Sequence, residues 1–180
     1  NGDLVYIGNA SDGASDSLMP ALDIWGVNVY KGESFGAFFS DFKAKTAKPL
    51  WISEFGTDAW YSQNPLNNLN DGFEDQATQA IWDSLLWDEI VQNQDAAIGA
   101  TVMEYSDEWW KPYEWMYSGS NNIQDHFGSG PMDTSCPADG SIDWYPSSLD
   151  QAYNEEWWGI MSASVNPTFG QPDVMTPRTT

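Results

Sequence analysis

Short apolar runs and one-sided apolar stripes take turns along the chain, and their order predicts the architecture. Leu4-Val5-Tyr6-Ile7 is a brief β-prone run that breaks at Gly8-Asn9-Ala10-Ser11-Asp12-Gly13, a cluster of turn formers. Leu22-Asp23-Ile24-Trp25-Gly26-Val27-Asn28-Val29-Tyr30 is nearly continuous in large and β-branched residues, which is how a strand buried on both faces reads. Ser34 is placed to cap a helix in which Phe35, Phe38, Phe39 and Phe42 form one apolar stripe, with Lys43 and Lys45 near its end. Lys48-Pro49 punctuates, and Leu50-Trp51-Ile52-Ser53 begins a second buried strand that ends at Glu54. From Glu74 to about Gln94, the positions Ala77, Ala80, Ile81, Leu85, Trp87, Ile90 and Val91 predict the longest helix, apolar on one side and capped by Asp71 or Asn70. Ile98-Gly99-Ala100-Thr101-Val102-Met103 predicts a third core strand, ending at Glu104-Tyr105. Strand, helix, strand, helix, strand is the pattern of an α/β protein with a parallel sheet built from crossovers.

After Glu104 the periodicity stops, and about seventy residues rich in Trp, Tyr, Asp, Gly, Pro and Ser follow without a strong element signal. Six of the 11 tryptophans lie beyond residue 105, which argues against a wholly disordered tail. Composition narrows the function classes. A net charge of −21 argues against nucleic acid as a partner and suits a neutral substrate better than an anionic one. Cys136 is the only cysteine, so neither an intrachain disulfide nor a cysteine-based zinc cluster is available, and no metal or other cofactor is expected. No apolar stretch reaches eighteen residues and no leader-like segment opens the chain, so the expectation is a soluble chain without a membrane partner, any export signal lying upstream. The compartment stays open, with a secreted or periplasmic site favoured; Asn9-Ala10-Ser11 fits a glycosylation sequon, a triplet frequent by chance.

Ligands of parallel α/β proteins sit beyond the carboxyl ends of the strands. Tyr30, Glu54 and Glu104 occupy corresponding positions where a strand gives way to its loop. Partial desolvation there can tune a carboxylate for chemistry.

Two stretches carry a resemblance: Asp23-Ile24-Trp25-Gly26-Val27-Asn28-Val29-Tyr30, and Trp51-Ile52-Ser53-Glu54-Phe55-Gly56-Thr57-Asp58-Ala59. In order and spacing around one helix, the segment from Asp23 to about Trp110 is similar to the last strands of clan A glycoside hydrolases. It resembles the family 2 barrel domains and β-1,3-glucanosyltransferase-like enzymes. The resemblance implies a partial TIM (β/α)8 barrel, with strands five to eight in residues 1–110, a long active-site loop over 111–174 and the start of a truncated final helix over 175–180. It implies that Glu54 is the nucleophile of a retaining β-glycosidase or transglycosylase acting on a β-linked carbohydrate, and that Tyr30 hydrogen-bonds and orients it. Asn28, Glu104, Tyr105, Asp107, Glu108, Trp109, Trp110, Glu155 and Trp157 are the implied substrate contacts. Tyr105 stands where the clan often has Trp, which leaves Trp109 or Trp110 to supply a platform for the sugar.

The clan's general acid/base follows an Asn at the end of the fourth strand. Asn154-Glu155 has those letters but comes after the eighth strand, so it is not given that role. A typical barrel runs to roughly 250 residues. The 180 present imply a C-terminal half that lacks its N-terminal half and its proton donor, and that is inactive alone.

Plainer readings stand beside these. Glu54 fits a strand-end carboxylate paired with Lys48 or capping a helix, and Tyr30 a half-buried ring with a wet hydroxyl. Glu104, Asp107 and Glu108 fit a solvated acidic loop or oxygen ligands for Ca2+, though no EF-hand loop is present. Trp109, Trp110, Trp157 and Trp158 fit the closure of a small core beneath the loop, and His126 is an ordinary loop histidine. The alternative from a different class is a noncatalytic carbohydrate-binding protein using the Trp-rich surface.

Overall fold

The computed structural model describes residues 16–17, 19–64, 68–108, 157–164, 166 and 168–178, and shows a mixed α/β fold. Its centre is a parallel sheet of three strands in the order β1 (Trp25–Asn28), β2 (Leu50–Phe55) and β5 (Ala97–Val102). These are the three core strands that the apolar runs predict, although Glu54 lies within β2, which continues to Phe55. Trp25 and Val27 of β1 and Leu50 and Ile52 of β2 are all fully buried on the same face, which α1 (Phe38–Lys45) covers. Phe35, Phe38, Phe39 and Phe42 interlock there, with tilted or edge-on rings such as the Phe35–Phe39 pair at 5.3 Å. Edge contacts between rings are favourable beyond the apolar area they bury.

The phenylalanine stripe is where the spacing predicts it, but its helix begins later than Ser34. Gly36 adopts a left-handed φ of 56°, which interrupts any helix running from Ser34. Ser34 Oγ instead accepts the Gly36 N–H at 3.0 Å, and Ala37 takes the N-cap position without a side-chain cap.

The second helix differs more. α2 spans Gln76–Gln92, and its cap is Asp75, whose carboxylate accepts the Thr78 N–H at 3.1 Å and the Thr78 hydroxyl at 2.7 Å. Asn70 and Asp71 cannot cap it because they belong to β4 (Asn68–Glu74), the second strand of an antiparallel hairpin with β3 (Trp60–Asn64). Nor is α2 apolar on one side only. Gln79, Trp82, Leu86 and Ile90 are buried, whereas Ile81 is 59% exposed and Leu85, Trp87 and Val91 are also exposed.

The run Val174-Met175-Thr176-Pro177 does not open a final helix. It forms β7 (Val174–Pro177), paired antiparallel with β6 (Met161–Ser164) in the register Met161↔Pro177 to Ser164↔Val174. The β-branched Val174 and Thr176 outweigh the proline signal, and Pro177 costs no ladder bond because the hydrogen bond beyond it is made by the Arg178 N–H to the Ile160 carbonyl at 3.1 Å. The hairpin lies at the carboxyl end of β5 through a parallel bridge from Ser106 to Met161. The expected strand over Leu4 to Ile7 and most of the expected 111–174 loop lie outside the described residues.

Candidate functional site

Glu54 and Tyr30 meet at the carboxyl ends of adjacent parallel strands. Asn28 pairs with Glu54 in the ladder, and the Val29 N–H donates to the Glu54 carbonyl at 2.9 Å, so Tyr30 emerges directly beside the carboxylate. Its hydroxyl donates to Glu54 Oε2 at 2.6 Å, the contact that the resemblance implies. Met103 Sδ lies 2.9 Å from the same hydroxyl, bringing the end of β5 to the pair. The Met103 N–H donates to the Phe55 carbonyl at 2.7 Å, and Glu104 follows across a cis peptide bond. Tyr30, Glu54 and the end of β5 are therefore one constellation. Lys48 is not the partner of Glu54, because its ammonium goes to the Met19 carbonyl at 2.9 Å and to Asp16 at 3.7 Å.

Trp158 completes this cluster, although the resemblance does not imply it as a substrate contact. It is 2% exposed and meets the Tyr30 ring edge-on at 4.9 Å. Its carbonyl accepts the Glu104 N–H at 3.0 Å, and the Glu104 carbonyl accepts the Ile160 N–H at 2.9 Å. Residues 158–160 thus lie against the strand ends and close over them. Gly159 is required at this return, since a Cβ there would collide with the Ser106 and Asp107 backbone. The signal in the sequence is the Trp157-Trp158-Gly159 triplet, which does not say which ring faces the site.

Three implied substrate contacts have partners within the protein. Asp107 is 5% exposed, and its carboxylate takes both arms of the Arg178 guanidinium at 2.6 and 2.7 Å together with the N–H groups of Gly159 at 3.0 Å and Ala163 at 3.3 Å. Burial pushes its carboxyl above the usual range while Arg178 and the two amides pull the other way. That carboxylate is a structural anchor, not a sugar ligand. Trp157 is partly buried and packs on Trp60 at 4.8 Å, with the Arg178 guanidinium 5.6 Å from its ring centre. Asn28 uses its side-chain oxygen to accept the Ser53 hydroxyl at 2.6 Å. Tyr105 is 64% exposed beside the constellation, whereas Glu108 is partly buried. Trp109, Trp110, Asn154, Glu155, Cys136 and His126 lie outside the described residues.

The loop after β2 is held by groups that the apolar pattern does not expose. Gly56 has φ 146°, and a Cβ on it would sit 2.5 Å from the Met103 carbonyl oxygen. The next amide, Thr57 N–H, donates to Asp83 of α2 at 3.1 Å. Burial pushes the Asp83 carboxyl up to about 7, with the Thr57 N–H pulling against it. Gln79, buried in the first turns of α2, directs its amide at the carbonyls of Thr57, Trp158 and Gly159 at 3.1 to 3.3 Å.

Among the described residues no group of three or more His, Cys, Asp or Glu is placed to hold a metal ion, and no helix is long and apolar enough to cross a membrane. Set against known protein families, curated proteins and solved structures, the chain finds no match in any of the three.

Proposed function

We propose that this chain carries the nucleophile side of a retaining β-glycosidase or transglycosylase site, on a sheet that corresponds to strands six to eight of a partial (β/α)8 barrel. The observation that carries the reading is the 2.6 Å hydrogen bond from Tyr30 to Glu54 at the carboxyl ends of neighbouring parallel strands. A single hydroxyl donor fixes the rotamer of a carboxylate and leaves its other oxygen able to attack. In the proposed reaction Glu54 forms a bond to the anomeric carbon as the bond to the leaving oxygen breaks. Water or a sugar hydroxyl then displaces the carboxylate, and the two inversions give net retention.

The surroundings of the sheet support a larger barrel. A parallel sheet is ordinarily covered on both faces. Here Trp51 lies on the face away from α1 and is 39% exposed. A helix that is apolar nearly all round belongs to a deeper setting than one covered face, and Ile81, Leu85, Trp87 and Val91 give α2 that character. We assign the covering elements to the remaining strands and helices of the barrel, and the proton donor to one of them. The negative charge of the chain suits a neutral glycan.

The test uses 2,4-dinitrophenyl 2-deoxy-2-fluoro-β-glucoside, whose leaving group departs without a proton donor. Incubated with the chain, it is expected to leave one fluoroglucosyl group on the peptide containing Glu54, read by mass spectrometry, and none on Glu54→Gln. Absence of the adduct at Glu54 removes the reading. Steady turnover of a simple alkyl β-glucoside by the chain alone would show that the proton donor is already present in it.

A further inference from the structure

A strand that alternates strictly sends residues of one parity to one face of its sheet. In β2, Leu50 and Ile52 enter the phenylalanine-lined core and Trp51 takes the opposite face. Glu54 shares the parity of Leu50 and Ile52. Continued alternation would drive its carboxylate into that apolar core and turn Phe55 away from it. The structure has the reverse: Phe55 belongs to the core cluster, and Glu54 is partly exposed and reaches Tyr30.

A one-residue bulge makes the switch. Along β1, Val27 pairs with Ile52 but its successor Asn28 pairs with Glu54, so Ser53 is the extra residue. Along β5, Ile52 pairs with Ala100 and Phe55 with Val102, again one residue more on β2 than on its neighbour. Bulges re-aim side chains in this manner. This one is pinned by its own extra residue, since the Ser53 hydroxyl donates to Asn28 Oδ1 at 2.6 Å and Asn28 is the ladder partner of Glu54.

We infer that Ser53 and Asn28 are positioning residues for Glu54: their hydrogen bond holds the bulge that turns the carboxylate out of the core and onto the Tyr30 hydroxyl. The catalytic meaning of this inference rests on the proposed role of Glu54 as nucleophile. Ser53→Ala leaves the backbone free to bulge but removes the pin, so Glu54 spends less time in the attacking geometry.

The experiment measures fluoroglucosyl transfer to Glu54 in the full chain as a function of probe concentration. Ser53→Ala is expected to lower the limiting rate by about 10- to 100-fold with the half-saturating concentration unchanged. Ser53→Thr, which keeps a hydroxyl, recovers most of that rate. The low-field proton of the Tyr30 hydroxyl, assigned by its loss in Tyr30→Phe, is expected to move upfield or broaden in Ser53→Ala and to hold its position in Ser53→Thr. An unchanged labelling rate in Ser53→Ala, or an unchanged Tyr30 resonance, overturns the inference while leaving Glu54 the nucleophile. A wild-type chain that takes no label removes the nucleophile instead, and the Tyr30 resonance of Ser53→Ala then decides by itself whether Ser53 positions the carboxylate.

Discussion

The two sides of the strand tips are built from different chemistry. Beneath them, α1, α2 and the parallel sheet are joined by a cluster of fourteen buried apolar residues, from Trp25 to Ala97. Above them, the returning segment at 157–164 and β7 is held by buried polar groups: Arg178 between Asp107 and Glu74, and Gln79 spanning three carbonyls. Apolar burial is non-directional and tolerates small changes of shape. A buried ion pair tolerates almost none, because removal of one partner leaves the other charge stranded. Glu54 sits where the two meet, with a core behind its strand and the polar closure, through Trp158, against its Tyr30 partner.

The comparison is broken most directly at Arg178. Arg178→Met strands the Asp107 carboxylate among groups that are nearly all buried, and is expected to destabilise the fold by about 3–5 kcal/mol in urea unfolding, with Asp107→Leu added to it recovering much of the loss. A double variant as unstable as the single one would show that shape, not charge, holds this closure.

A slightly smaller effect separates the regions by pH. The Asp83 carboxyl is raised from 3.8 to about 7 in the folded chain, so the folded state binds this proton more tightly than the unfolded state does. Its contribution is greatest below about 4, declines as pH rises towards 7 and is flat above that, on the order of 4 kcal/mol in all. Asp83→Asn should flatten that decline, measured as the difference between wild-type and variant urea midpoints across the range. Parallel profiles for the two proteins would remove Asp83 from the account.

The smallest expected change lies in the apolar region. Ile52→Val removes one methylene from a fully buried position and is expected to lower stability by about 0.5–1.5 kcal/mol without a pH dependence of its own, followed in the same unfolding series. A loss as large as that of Arg178→Met would make the sheet the more brittle of the two regions.

The apolar region was legible in advance. Phe35, Phe38, Phe39 and Phe42 recur at helical spacing, and three β-rich runs alternate with helical stretches, so parallel strands and their covering helix follow from period alone. The strand-end positions of Tyr30 and Glu54 were legible too, because each ends a run that the pattern marks as a strand, whereas their contact was implied by the resemblance alone. Asp107 was misread as a sugar contact, and the packing of Trp157 was not foreseen, because their partners, Arg178 and Trp60, are 71 and 97 positions away along the chain. The β3–β4 hairpin was missed because Asn68-Leu69-Asn70-Asp71-Gly72 has the composition of a loop.

What the sequence by itself determined is therefore what rests on period: the order of the three core strands and the two helices between them, and the strand tips that carry Tyr30 and Glu54. What only the tertiary structure decided is the direction of Glu54 and the identity of its neighbours. Period two, carried through β2, would place Glu54 in the core. The bulge at Ser53 depends on hydrogen bonds to two neighbouring strands, and a ladder register is a relation between segments that no single segment encodes.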